Sequence, residues 1–143
     1  MKEYLIFGLA ILKSVVSLAQ NPQFSCPIPK GKIQIYHHST EAAINPGATF
    51  RNKNSTLYNI IEGTVKSIDT VSGLINVSIE SGEFFFSYYG FRGITISNGQ
   101  KLLQCDPIGK IKRNKNLFLI MSFKGELVEP LKYLKCKSVD VWL

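Results

Sequence analysis

The sequence holds only two histidines and three cysteines in 143 residues, and both shortages argue against a class of function. His37 and His38 are adjacent, so on a strand they point to opposite faces and rarely hold one ion, and the nearest carboxylate in sequence is Glu41. Cys26, Cys105 and Cys136 lack the paired spacing of a zinc site. No Cys/His or Ser/His/Asp set stands in a supporting context, and Glu80 and Glu83 read as wet strand-end charges. No apolar run is long enough to cross a bilayer, and there is no internal repeat or low-complexity tract. The aromatic and basic residues follow no OB-fold or RNA-recognition signature, which argues against nucleic acid as a partner.

What is present reads as one ordinary globular domain, with 45% hydrophobic and 19% charged residues. Residues 1–19 read as a cleaved export signal: after Lys2, an apolar stretch from Leu5 ends Ser17-Leu18-Ala19, the small-residue pattern of a cleavage site, although Lys13 interrupts it. Residues 20–32, with three prolines, read as a linker, 33–136 as the folded domain and 137–143 as a C-terminal tail. Export to the periplasm or the medium is therefore expected, with no transmembrane segment in the mature form. The formal charge is +7, or +6 once Lys2, Lys13 and Glu3 are removed, which favours anionic surfaces without selecting one. Three cysteines in an exported domain allow one internal disulfide and leave one thiol. Joining Cys26 to Cys136 would tie down both ends, and Cys105 reads as a small buried residue, but the sequence leaves the pairing open.

From Ile33 onward, short apolar runs are divided by Gly, Asn and Ser. Ile75, Val77 and Ile79 alternate with Asn76, Ser78 and Glu80, the period of a strand with one wet face. Turns are expected at Glu62-Gly63, over Asp69–Gly73, at Ser81–Glu83 and at Asn98-Gly99, with further strands at 108–111 and 117–123. In the run 84–89, alternation sends Phe84, Phe86 and Tyr88 to one face and Phe85 and Tyr89 to the other. One set is expected in the core and the other in an exposed aromatic strip, unless both faces are covered. Together these predict an all-β fold, an antiparallel sandwich or barrel, with at most one helical turn near Glu41–Ala43.

At 54–65 the sequence NSTLYNIIEGTV resembles the G-T-P-V-x-A-x-x-D-G-x-V segment of lysostaphin/LytM-type peptidases, with Gly63 and Val65 matching. Tyr88-Tyr89-Gly90-Phe91 resembles that family's Y-x-H-L, Asn98–Leu102 its V-G-Q-x-V, and Pro107-Ile108-Gly109 its V-I-G. Gly125 and Val128-Glu129-Pro130 match the closing G-x-x-V-x-P. Each piece is weak; their order and spacing make the set specific. The resemblance implies a compact antiparallel β-sandwich, the duplicated hybrid motif.

The resemblance also implies a zinc hydrolysis that this chain lacks the residues to perform. The family holds zinc with His and Asp of H-x-x-x-D and the second His of H-x-H, because a catalytic zinc needs three protein ligands and an open position. Here Asn45 and Thr49 stand at the first pair, Gly90 at the His of Y-x-H-L, and Asn116-Leu117-Phe118 where H-x-H belongs. Zinc is therefore not expected as a cofactor. The five positions Asn45, Thr49, Gly90, Asn116 and Phe118 would floor a groove, unless Phe118 fills it. Lys110, Lys112, Arg113 and Lys115 would form a basic rim beside it. The expected function is a non-catalytic LytM-like domain outside the cytoplasmic membrane that binds peptidoglycan or regulates a cell-wall hydrolase. An active metallopeptidase with atypical ligands and a structural envelope module are the alternatives.

Overall fold

Period-two alternation builds the centre of the molecule, as the sequence predicts. The computed structural model describes residues 24–28, 32–37, 47–50, 56–111 and 116–142, with the backbone alone at 32–37 and 138–142. It consists of β1 (Lys32–His37), β2 (Ala48–Phe50), β3 (Thr56–Tyr58), β4 (Gly63–Val71), β5 (Leu74–Ser81), β6 (Phe84–Ile94), β7 (Lys101–Leu102), β8 (Pro107–Ile111), β9 (Leu117–Phe123), β10 (Glu126–Val128) and β11 (Lys137–Trp142). A single 3-10 turn, Pro130–Lys132, precedes β11. No helix among the described residues is long and apolar enough to cross a membrane. The signal segment and the helical turn expected near Glu41–Ala43 lie outside the described residues.

The sheet runs β11-β1-β2-β9-β6-β5-β4-β7, with β10 beside β9 and the β3–β8 pair attached through β8 to β6. Among the described strands every pairing is antiparallel except β1 with β11. The β4–β5 hairpin closes on Ser72-Gly73, both at positive φ (50° and 76°), the geometry of a tight two-residue loop that follows strand twist. The turn is thus shorter than the expected 69–73, and β4 continues to Val71.

β6 is the pivot of the fold. Its first half, Phe84–Tyr89, pairs with β9, and its second half, Phe91–Ile94, pairs with β8. Between them Gly90 adopts φ 111°, which a residue with a side chain adopts only under strain, and register shifts flank it in both neighbouring ladders. The sheet bends there and carries β8 and β3 over the core. That core is made by the inward set of each strand: Val77 and Ile79, Phe86 and Tyr88, Leu117, Leu119 and Met121, with Leu57, Ile108 and Ile111 from the folded-over part. Burial of each large side chain contributes about 1.5–3 kcal/mol.

Three expectations need correction. Residues 24–28 are not a linker: Phe24 and Ile28 are buried in the core, and Phe24 bridges to Leu134. Residues 137–142 are not a tail, because their alternation of Val139 and Val141 with polar residues pairs them as β11 along β1. Cys105 is exposed, not buried, since it sits in a left-handed turn (φ 68°) that places it at the surface. The disulfide joins Cys26 to Cys136, with the Cα atoms 5.0 Å apart.

Tyr88 is fully enclosed, and its hydroxyl has no hydrogen-bond partner among the described residues. A buried, unpaired hydroxyl is destabilising, so Tyr88→Phe should raise unfolding stability by about 1–2 kcal/mol in urea titrations. Burial also pushes the phenol well above its ordinary value of 10.0. The unfolded chain then loses this proton first. Ionisation of this group leaves stability unchanged below about pH 10 and lowers it as pH rises from there toward the folded value. The alkaline loss of stability should therefore be shallower in Tyr88→Phe; equal slopes in the two proteins would refute the assignment.

Candidate functional site: the open face of the sheet

The residues that alternate with the core set lie on one open face, and pairing registers order them in rows. One row reads Thr49, Phe118, Tyr89, Asn76 and Asp69 across β2, β9, β6, β5 and β4. The next reads Ile120, Ser87, Ser78 and Ser67, with the Ser78 and Ser87 hydroxyls 3.4 Å apart. A third reads Leu127, Ser122, Phe85, Glu80 and Thr64. The aromatic run divides as its alternation predicts: Phe86 and Tyr88 are buried, whereas Tyr89 is 42% and Phe85 37% exposed.

Of the predicted site residues, Thr49 pairs with Phe118 and Gly90 lies against Asn116; Thr49 and Gly90 are buried, Phe118 is half-buried and Asn116 is exposed. Phe118 sits directly between Thr49 and Tyr89. Its half-buried ring lies over Gly47 so closely that a Cβ there would overlap the ring edge and approach the Leu119 carbonyl to 2.9 Å. Gly90 faces the backbone of β9's entry, where a Cβ would come 3.0 Å from the Asn116 carbonyl oxygen, and Asn116 itself is exposed. Asn45 lies outside the described residues, as do Lys112, Arg113 and Lys115 of the expected rim; Lys110 is exposed on β8. The Gly47 cradle and the serine row escaped the sequence reading, because they depend on which strands are neighbours.

Zinc takes Cys, His, Asp or Glu, and a threonine hydroxyl beside a phenyl ring does not fit it. Among the described residues no three such groups gather. The ion pairs Lys66–Glu80 (3.4 Å) and Lys124–Glu83 (3.8 Å) are exposed and worth little to stability, as expected of wet strand-end charges. A shallow cleft at the β4 end of the third row, lined by Glu62, Thr64, Lys66, Glu80 and Lys101, contains none of the predicted site residues.

No family model and no curated protein sequence matches the chain. Solved structures do match its fold. Helicobacter pylori Csd3 superposes with a TM-score of 0.69 at 15% identity over 80% of this chain. The SpoIIQ–SpoIIIAH pore-forming complex gives 0.66 at 16% identity, covering 80% of this chain and 92% of that one. A putative M23 peptidase from Pseudomonas aeruginosa gives 0.63 at 16% identity, covering 78% of this chain and 50% of that one. The chain spans 34% of the matched Csd3 chain. It therefore has the LytM/M23 peptidase fold, the antiparallel all-β architecture that the motif order implies.

Proposed function

We propose that this chain is a non-catalytic LytM-like domain that acts outside the cytoplasmic membrane, where its open face binds peptidoglycan or holds a cell-wall hydrolase. One observation carries the reading: the adjacent positions where the family resemblance calls for zinc ligands hold Thr49 and Phe118, flanked by the exposed ring of Tyr89. Exposed aromatics beside hydroxyls and an amide can grip a glycan or peptide without activating water. The likeness to a SpoIIQ–SpoIIIAH complex supports a protein partner as well as a wall ligand.

Metal analysis of the purified chain, paired with a wall-peptide digestion assay, is expected to find neither stoichiometric zinc nor cleavage. Finding both would overturn the proposal. Co-sedimentation with purified sacculi, or co-purification of a hydrolase, then separates the two kinds of partner. In whichever assay is positive, Tyr89→Ala should weaken binding roughly tenfold, as expected for an exposed aromatic anchor. Unchanged binding would move the site off this face.

A further inference from the structure

The two ends of the sheet are complementary to each other. On the outer side of β4, β7 pairs only with Gly63 and Thr64, and the backbone groups of Val65 are taken by Gln100 and Gly99. In a two-residue hairpin the flanking residues exchange hydrogen bonds, so Val71 and, by alternation, Asp69 and Ser67 bond inward to β5. Ile68 and Thr70 therefore turn their N–H and C=O groups outward, where no described residue meets them. At the other end of the sheet, β11 pairs with β1 alone among the described strands.

Direction, face and bonding parity all permit these edges to meet. Each step from β4 to β1 is antiparallel and the last, to β11, is parallel, so β11 runs opposite to β4. A second copy laid beside the first in the same orientation thus presents β11 antiparallel to β4. The row through Asp69, Asn76, Tyr89, Phe118 and Thr49 continues to positions 34 and 139, which places position 137 on the same face as Asp69. Position 138 is then on the core side, as Ile68 is, and in strands of opposite direction such positions turn their backbone groups toward each other.

The charges select the register. β4 carries Lys66-Ser67-Ile68-Asp69 and β11 carries Lys137-Ser138-Val139-Asp140, the same order of residue types. Paired antiparallel, Ile68 meets Ser138 as the hydrogen-bonded pair, Asp69 meets Lys137 and Lys66 meets Asp140. Asp69 and Lys137 are both exposed, and neither has an ion-pair partner among the described residues. Opposite charges directly across a ladder are stabilising and like charges are destabilising.

We propose that a second copy of this chain adds its β11 to the free edge of β4, with Asp69 opposite Lys137. β7 limits the contact to Lys66–Asp69 against Lys137–Asp140, and residues beyond Asp140 leave the ladder. So short an interface is transient and concentration-dependent. It is also head-to-tail: each copy keeps one free edge of each kind, so the contact repeats into rows or closes into rings. It stands independently of what the open face binds.

Sedimentation velocity of the purified full chain at increasing concentration should show average mass rising past that of two copies. Asp69→Lys and Lys137→Asp, both at exposed positions, should each weaken this association by roughly tenfold. An equimolar mixture of the two variants should restore it, because each then offers the other a complementary edge. Far-UV circular dichroism checks that both variants keep the fold. A chain that stays monomeric throughout would overturn the proposal. So would association that neither variant weakens, or a mixture that does not recover.

Discussion

Replacing Cys136 with serine is expected to lower unfolding stability by about 4–5 kcal/mol. The disulfide to Cys26 closes a sequence separation of 110 residues. A link of that span removes much of the conformational freedom of the unfolded chain. Total stability of a domain this size is of order 5–15 kcal/mol, so the loss is a large fraction of it. The check is a urea titration of Cys136→Ser beside the wild type with and without reductant. Reduced wild type and variant should share one lowered midpoint, and Cys105→Ser, at an exposed turn, should leave the midpoint unchanged. A common shift worth less than about 1 kcal/mol would show that closure is not what holds the ends.

Phe24→Ala should cost about 3–5 kcal/mol, the range for deleting a buried ring. Phe24 is the keystone of an aromatic cluster. Its ring meets Phe84 edge-on at 5.0 Å and Phe86 at 5.7 Å, and stacks on Tyr133 at 5.9 Å. Its backbone is clamped as well: its N–H donates to the Tyr133 carbonyl and its own carbonyl accepts from the Lys135 N–H. Phe24→Leu keeps most of the volume and should cost less than about 1.5 kcal/mol. Similar losses for the two variants would mean that the backbone clamp, not the ring, carries the effect. With the disulfide intact, the alanine variant should still fold, which keeps the measurement within reach.

The strands whose two faces differ were legible from the residues alone. Ile75–Ile79 and Phe84–Tyr89 alternate cleanly, so β5 and the first half of β6 follow from the period, and so does the division of aromatics between core and surface. The bend at Gly90 inside one strand was not legible, because the continuation of β6 is held by β8, a pairing that the sequence does not name. Phe24 was hidden by neighbouring prolines, which mark irregular backbone yet say nothing of burial. β11 was hidden because its partner, β1, lies a whole domain away in sequence. Thr49, Gly90, Asn116 and Phe118 could be singled out only through motif order. That Thr49 and Phe118 are cross-strand neighbours, and that Gly47 makes room for the ring, is information held in the registers.

The disulfide also decides how the domain meets mechanical tension. A pull applied between the chain before Cys26 and the chain after Cys136 travels through the sulfur–sulfur bond and bypasses the 110-residue separation between them. Only the segments outside the disulfide lie in the path of such a force: Phe24-Ser25 before Cys26, held against Tyr133–Lys135, and β11 after Cys136, held on β1. Extension in an oxidising solution should then stop after these two segments are released, with β2, β4, β5, β6 and β9 still paired. Reduction converts the same pull into one that unravels the whole sheet.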